Sequence, residues 1–153
     1  MKKLGLIGYP LGHSFSKKYY LEKFNQEHIT DVDYDLYPLA QIADFTTIAS
    51  NKDFYGVNVT IPYKIEIMDY LDELSEEARA IQAVNCIRIS HTSDGATHLK
   101  GYNTDAYGFE VSLRPLLSPL ADNKALILGN GGAAKAVIYA LNQLGIMHTL
   151  VSR

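Results

Sequence analysis

The stretch KALILGNGGAAKAVIYALNQLGIMHTLVSR, residues 124–153, has the clearest alternation of strand and helix patterns in the chain. Residues 124–129 are typical of a buried strand, and residues 132–145 have the composition of a helix that stops at Gly145. Residues 146–153 return to a strand pattern. A strand, a helix and a second strand in this order predict a βαβ unit with two parallel strands.

The loop between the first strand and the helix has the spacing of a dinucleotide-binding turn. Gly129 allows a tight turn, Gly131 lets backbone amides approach a pyrophosphate, and Ala134 permits close packing of the helix on the strand. The amino end of the helix adds positive potential. The same glycines would also serve a tight turn without any ligand, and the sequence leaves that alternative open.

The end of the second strand bears on the type of cofactor. NAD-binding domains usually carry an acidic residue there, about 20 residues after the loop, that takes the ribose hydroxyls. Here the strand ends in Ser152 and Arg153, and an arginine can meet a 2′-phosphate. The sequence therefore favours NADP, with an ordinary surface arginine as the alternative. A complete domain of this kind has two βαβαβ halves, so we expect either a fragment or a sheet that something else completes.

Strand and helix patterns also alternate upstream of this unit. Strands are predicted at residues 4–8, 32–39 and 55–60, a hairpin at 85–90 and 97–103, and helices at 14–28, 40–50, 62–72, 75–81 and 104–116. Two prolines in residues 114–123 indicate a hinge or linker. The expected fold class is α/β: a mixed, mostly parallel sheet with flanking helices, followed by the first βαβ of a Rossmann-like doubly wound domain.

The composition narrows the classes of function. The chain has 153 residues, of which 47% are hydrophobic, and a formal net charge of −3, so no basic stripe indicates nucleic acid. No apolar run is long enough for a membrane span. A single cysteine excludes an internal disulfide, and the five histidines lack ligand spacing. We expect a cytoplasmic protein with a small-molecule partner, without nucleic acid, membrane or metal.

One lysine stands out in the segment GVNVTIPYK, residues 56–64. Asn58 and Thr60 lie on the same face of a predicted strand, because side chains alternate along a strand. Pro62 is expected to open a helix with Lys64 in its first turn, where the helix dipole disfavours a cation. A lysine held there is a candidate for proton transfer, and a solvated lysine that points away is the alternative.

Further polar side chains fall at predicted helix and strand ends. Ser14 and Ser16 stand at the start of a helix, and hydroxyls together with the unpaired amides of a helix start form an anion site. Asn85, Thr104 and Asp105 stand at a strand start and a helix start, where each taken singly fits ordinary capping. Because ligands bind outside the strand ends of α/β sheets, the whole set predicts a binding site.

Six segments in order resemble the shikimate dehydrogenase family: GYPLGHSFS (8–16), GVNVTIPYK (56–64), AVNC (83–86), GYNTDAYG (101–108), GNGGAAKA (129–136) and the final SR. The resemblance implies that Ser14 and Ser16 hold the substrate carboxylate and that Lys64 is catalytic with Asp105 as its partner. Other implied substrate contacts are Thr60, Asn85 and Asp105. The implied cofactor-binding residues are Gly129, Asn130, Gly131, Gly132, Ala133, Ser152 and Arg153.

The activity implied by the resemblance is the reversible, NADPH-dependent reduction of 3-dehydroshikimate to shikimate in aromatic amino-acid biosynthesis. A quinate/shikimate dehydrogenase of different cofactor preference, or a binding module without turnover, is the alternative. The implied domains are a substrate-binding catalytic domain at 1–118 and the start of an NADP-binding domain at 119–153. The 153-residue chain alone is expected to be inactive, and a homodimer is left open.

Two residues depart from the pattern of that family. Lys17 follows the second serine where the family usually has proline, and Cys86 replaces a threonine in AVNC. We interpret Cys86 as a packed thiol, because no histidine near it forms a triad-like pattern.

Overall fold

A six-stranded mixed sheet holds most of the chain. The computed structural model describes residues 1–12, 14–118 and 122–152. The strands of the sheet are β1 (Lys2–Gly8), β2 (Val32–Pro38), β3 (Phe54–Val59), β4 (Glu73–Leu74), β5 (Cys86–His91) and β6 (Thr97–Tyr102). Their spatial order is β2-β1-β3-β5-β6-β4.

The strand directions bring several strand ends to one edge of this sheet. β1 pairs in parallel with β2 and with β3. β5 is antiparallel to β3 and to β6, and β4 is parallel to β6. The carboxyl ends of β1, β3 and β6 therefore lie at the same edge as the amino end of β5. The predicted α/β class with a mixed, mostly parallel sheet is confirmed.

Five α-helices connect and flank the strands of the described residues. They are α1 (Ser16–Gln26), α2 (Phe45–Ser50), α3 (Glu76–Ile81), α4 (Asp105–Leu113) and α5 (Gly132–Gln143), with 3-10 turns at Ile42–Asp44, Glu66–Tyr70 and Arg114–Leu116. The predicted cap of α3 is present, because the Ser75 hydroxyl accepts a hydrogen bond from the Ala78 amide at 3.1 Å. The region predicted as one helix at 40–50 is a 3-10 turn followed by α2.

The core lies between the six-stranded sheet and the segments that cross it. Alternate positions of the strands point into it, as the period of two predicts. Its fully buried side chains include Ile7 from β1, Phe45 from α2, and Ile87 and Ile89 from β5. Ile67, from the 3-10 turn after β3, is equally buried.

A second, two-stranded sheet follows in the last part of the chain. β7 (Lys124–Leu128) and β8 (Met147–Val151) pair in parallel, and α5 connects them. The βαβ unit predicted from the sequence is confirmed. The predicted hinge at 114–123 includes residues 119–121, which lie outside the described residues, as does Arg153.

Helix α5 packs against the first sheet's helices through small side chains. Ala136 of α5 lies 1% exposed in a cluster with Ile81, Ala83 and Ala106, which Tyr139 covers. Small residues let the backbones of two elements approach closely. The βαβ unit is therefore seated on α3 and α4 instead of standing apart from them.

The helix predicted at 62–72 is wrong. Residues 61–65 form turns, and a 3-10 helix covers only Glu66–Tyr70. The Lys64 carbonyl, which an α-helix would pair with the amide four residues later, accepts instead from the Val84 amide at 2.7 Å. The burial of Tyr63 and Ile67 fixes this path, so tertiary packing overrides the local helix pattern.

None of the described helices has both the length and the apolar character needed to cross a membrane.

Candidate active site

The edge where the strand ends converge also holds the polar residues singled out in the sequence. Thr60 directly follows β3, Asn85 directly precedes β5, and Asp105 opens α4 three residues after β6. The Val59 amide donates to the Asn85 carbonyl at 2.8 Å, which ties the first two of these ends together. Because β5 runs against β3, residues far apart in the sequence meet here.

Lys64 and Asp105 form an ion pair at this edge. Lys64 Nζ lies 2.5 Å from Asp105 Oδ2, and the two side chains are 15% and 34% exposed. The turn after β3 supplies the lysine and the start of α4 the carboxylate. Because both groups are withdrawn from bulk water without being sealed off, their attraction is screened less than that of a surface pair. The expectation that Lys64 lies in a first helical turn is wrong, but the predicted partner is the observed one.

Asn85 orients the carboxylate from its other side. Its amide nitrogen donates to Asp105 Oδ1 at 2.8 Å and to Thr104 Oγ1 at 2.9 Å. Its amide oxygen accepts from the Thr104 backbone amide at 2.8 Å. Asn85 is 8% exposed, so this buried amide has its donors satisfied within the protein. Both oxygens of Asp105 are therefore engaged, one by Lys64 and one by Asn85.

Asn103 is a site-building residue that the sequence analysis did not single out. Its side-chain oxygen accepts from the amides of Asp105 at 3.1 Å and Ala106 at 3.3 Å, so it caps α4. Its amide nitrogen donates to the Ala83 carbonyl at 2.9 Å. This side chain, and not Thr104, fixes the start of α4. The asparagine immediately before the predicted helix start at Thr104 was the signal that could have identified it.

Ser14, Ser16 and Thr60 line a cavity of about 510 Å³. Its other walls come from Leu6 and from the loop and turn residues Tyr9, Pro10, Leu11, Gly12 and Ile61. Ser14 Oγ accepts from the Ser16 amide at 3.3 Å, which holds the two serines beside the first turn of α1. Hydroxyls and a helix start therefore face one concave surface that is large enough for a small molecule.

An aromatic pair packs beneath the serines. Tyr20 of α1 stacks on Tyr34 of β2 with 4.4 Å between ring centroids, and the Tyr34 hydroxyl donates to Asn58 Oδ1 at 3.0 Å. Burial strongly raises the pKa of Tyr34, and a hydrogen bond with Ser16 opposes part of that rise. Burial also raises the pKa of the Cys86 thiol. Both groups stay protonated at neutral pH, which fits Cys86 as a packed thiol.

The glycine loop lies between the carboxyl end of β7 and the start of α5. Gly129 has φ +97°, a conformation that favours glycine. An added Cβ at Gly131 would meet no atom of the described residues within 4 Å, so the backbone there is open to a ligand. Gly129 and Ser152 line a cavity of about 410 Å³ with Leu128 and Val151. An open glycine turn, a helix start and a cavity at the ends of parallel strands fit a dinucleotide pyrophosphate.

Gly132, the first residue of α5, brings this loop against the ion pair. A Cβ built on Gly132 would lie 2.7 Å from Lys64 Cβ and 3.3 Å from Lys64 Cδ. The predicted nucleotide loop and the predicted catalytic lysine are thus neighbours in space.

The structure accounts for the predicted residues in three groups. Lys64, Asn85 and Asp105 form one hydrogen-bonded network, and Ser14, Ser16 and Thr60 share one cavity. The third group surrounds the glycine loop: Gly129, Asn130, Gly131, Gly132, Ala133 and Ser152. Arg153, on which the choice of NADP rests, lies outside the described residues. Ligand roles for all of these residues stay predictions.

Residues 6–87 match the family described as the shikimate dehydrogenase substrate binding domain. The chain is 44% identical to a Clostridium beijerinckii protein named shikimate dehydrogenase (NADP(+)), over 100% of this chain and 56% of the relative. It is 38% identical to the protein of the same name from Caldicellulosiruptor bescii, over 99% of this chain and 52% of the relative. The chain spans about half the length of the curated relatives it matches.

Solved structures agree with the fold. Shikimate dehydrogenase from Aquifex aeolicus superposes with a TM-score of 0.86 at 31% identity, covering 100% of this chain and 56% of that one. A Thermus thermophilus shikimate 5-dehydrogenase, solved in complex with NADP(H) and shikimate, gives a TM-score of 0.82 at 29% identity. It is likewise covered over 56% of its length, with 100% of this chain aligned.

Proposed function

Because the chain belongs to the shikimate dehydrogenase family, we propose that it carries the substrate-binding and acid–base residues of an NADP-dependent shikimate dehydrogenase. The reaction is the reversible reduction of 3-dehydroshikimate to shikimate, a step of aromatic amino-acid biosynthesis. The observation that carries this proposal is the Lys64–Asp105 pair, oriented by Asn85, at the same sheet edge as the cavity of Ser14, Ser16 and Thr60.

The serine cavity holds the substrate in this proposal. The hydroxyls of Ser14 and Ser16 donate to the substrate carboxylate, which the positive end of the α1 helix dipole attracts. Thr60 contacts a ring hydroxyl from the end of β3. Asn85 contributes mainly through Asp105, because its amide hydrogens are engaged with Thr104 and Asp105.

Lys64 serves the reacting oxygen. When the ketone carbon accepts a hydride, its oxygen gains negative charge, and the Lys64 ammonium stabilises that charge and donates the proton that gives the alcohol. In the reverse direction the same amine takes the hydroxyl proton. Asp105 holds the ammonium in place and balances its charge, while Asn85 fixes the orientation of the carboxylate.

NADP is the cofactor in this proposal, and its nicotinamide supplies the hydride when bound. The residues that would hold its pyrophosphate are those of the loop: Gly129, Asn130, Gly131, Gly132 and Ala133. Ser152 and Arg153 follow β8, where an arginine suits a 2′-phosphate. The open backbone at Gly131 supports this assignment.

The domain division belongs to the same proposal. Residues 1–118 form the substrate-binding catalytic domain, and residues 119–153 begin the NADP-binding domain, which the separate β7–β8 sheet supports. We further infer a cytoplasmic enzyme, since its single cysteine needs no oxidising compartment. A homodimer is proposed because β2 is an edge strand that a second copy could pair with.

The serine pair tests the proposed function. Changing Ser14→Ala and Ser16→Ala together should weaken binding of shikimate, each lost charge-assisted bond costing about 1.5–3 kcal/mol. Binding of shikimate methyl ester, which lacks the carboxylate charge, should be weakened much less by the same double change. Calorimetric titration of both ligands measures the difference.

Ser112→Ala is the matched control, because this serine is exposed and its hydroxyl donates to the Gly108 carbonyl of its own helix. It should bind both ligands like the parent protein. Equal losses for acid and ester in the double variant would mean that the serines serve the fold alone.

A further inference from the structure

The first residue of α5 is a glycine for reasons of space. Its backbone does not adopt the left-handed conformation that favours glycine, in contrast to Gly129 with φ +97°. A Cβ built there would lie 2.7 Å from Lys64 Cβ, 3.3 Å from Lys64 Cδ and 3.5 Å from Ala83 Cβ. Real Cβ atoms do not approach another carbon to 2.7 Å, so any side chain at this position requires a neighbour to move.

The lysine has little freedom to give way. Its carbonyl accepts from the Val84 amide at 2.7 Å, which fixes the backbone, and the Cβ moves only with that backbone. Its Nζ is bound to Asp105 at 2.5 Å. Both ends of the side chain are therefore held, and a displacement of the stem must change the position of the ammonium relative to the carboxylate.

Helix α5 has little freedom to recede. Ala136 and Ala140, one and two turns further along, are each 1% exposed. Lys135 Nζ also donates to the Gln82 carbonyl at 3.4 Å, at the end of α3. A methyl group at position 132 would thus act against two anchored elements, whereas one at Gly131 would meet no atom within 4 Å in the part of the chain that the structure describes.

We propose that Gly132 is a positioning residue for Lys64: the bare first turn of α5 forms the surface against which the lysine stem rests, and it sets where the ammonium meets Asp105. The role of Lys64 in proton transfer, on which the effect on turnover depends, rests on the proposed function. One residue of the glycine loop would then serve two partners, with its backbone toward the cofactor and its α-carbon toward the acid–base pair.

The test compares Gly132→Ala with Gly131→Ala. In the full-length enzyme, Gly132→Ala should lower kcat at least about tenfold, because a small misplacement of a catalytic group has a large effect on rate. In a Lys64→Ala background the same change should lower kcat no further, because the ammonium it displaces is already absent. Gly131→Ala should instead raise KM for NADP. A loss of kcat of the same size in both backgrounds would overturn the proposal.

A second readout does not depend on activity. The ¹³C signal of the Lys64 ε-carbon, measured on the chain itself, should shift in Gly132→Ala and stay in place in Gly131→Ala. An unmoved signal in Gly132→Ala would overturn the proposal even if the enzyme proves to be a shikimate dehydrogenase. If the signal shifts but the full-length enzyme lacks shikimate dehydrogenase activity, the positioning role of Gly132 stands and only the proposed function is refuted.

The unsubstituted chain provides the measurement if Gly132→Ala fails to fold. The proximity predicts a nuclear Overhauser effect between the Gly132 α-protons and the Lys64 β-protons. Its absence in a folded sample would overturn the proposal.

Discussion

At the scale of single residues, Asp105 is the point on which the site depends. It receives Lys64 on one oxygen and Asn85 on the other, and its own amide is held by Asn103. Such a shared carboxylate holds the lysine in place, and the lysine balances the carboxylate's charge. The loss of any one member therefore leaves a partly buried group without its partner.

Lys64→Ala in the full-length enzyme should lower kcat for shikimate oxidation by roughly 10²-fold or more, because it removes a positioned acid–base group. KM for shikimate should change little, since the serines and Thr60 provide the binding contacts. Steady-state kinetics at saturating NADP measures both constants. Lys52→Ala, at an exposed lysine, is the control, and an unchanged kcat in Lys64→Ala would remove this lysine from the mechanism.

The three residues of the network and the pairing of Lys64 with Asp105 could be predicted from the sequence, but the bonds from Asn85 to Asp105 and Thr104 could not. Lys64, Asn85 and Asp105 were identified through the motifs that contain them. The contact between Lys64 and Gly132 was not, because it depends on how α5 is seated on α3 and α4. Asn103 was assigned no role, since a local pattern does not say which of two neighbouring polar side chains caps a helix.

At the scale of elements, the predicted strands and helices agree closely with the observed ones where the hydrophobic pattern behind the prediction is long. β1, β2, β3 and the β5–β6 hairpin were all expected, as was the βαβ unit. β4 was missed because Glu73–Leu74 is too short to show a period. The helix expected at 62–72 failed because the Lys64 carbonyl has a distant partner, Val84, that no local pattern reveals.

Lys17, which stands where the family usually has proline, forms a salt bridge between α1 and β2. Lys17 Nζ lies 2.7 Å from Asp35 Oδ1, and the side chains are 43% and 46% exposed. The hydrogen bond from Lys17 lowers the pKa of Asp35, with help from the Leu36 amide. Since the folded pKa is below the unfolded value of about 3.9, the pair stabilises the fold above that pH and ceases to do so as the pH falls through the folded pKa.

Lys17→Met should therefore raise the pKa of Asp35 and lower the free energy of unfolding at pH 7, with a difference from the parent that is smaller at pH 3, below the unfolded pKa of about 3.9. Carboxyl NMR titration and urea unfolding at both pH values measure these effects. Lys18→Met is the control, because Lys18 pairs only loosely with Glu22 at 3.9 Å. A difference that persists unchanged at pH 3 would contradict the electrostatic explanation.

At the scale of the whole molecule, the two sheets are joined by a small apolar interface. Ala136 sits among Ile81, Ala83 and Ala106, and its 1% exposure leaves no room for a larger side chain. The same interface holds the first turn of α5 against Lys64. The packing of the molecule and the geometry of the site therefore depend on the same few small residues.

Ala136→Leu should destabilise the chain by about 1–3 kcal/mol, because extra methyl groups in a filled core force the neighbours apart. It should also weaken the ion pair by lifting α5 from α3 and α4. Urea unfolding gives the stability, and Asn142→Leu, at an exposed position of the same helix, is the control. A parent-like midpoint for Ala136→Leu would show that the interface is looser than the structure indicates.

The separation of the ion pair in the sequence has a consequence for how the protein matures during translation. Lys64 and Asp105 are 41 residues apart, and a ribosome adds about 5–20 residues per second. For roughly two to eight seconds of synthesis the nascent chain therefore holds the lysine without its carboxylate. For about the first half of that interval the edge of β3 also lacks its neighbour β5, because Asn85 and β5 lie about halfway between Lys64 and Asp105 in the sequence. A ligand that requires the complete ion pair can therefore be bound only after synthesis has passed Asp105.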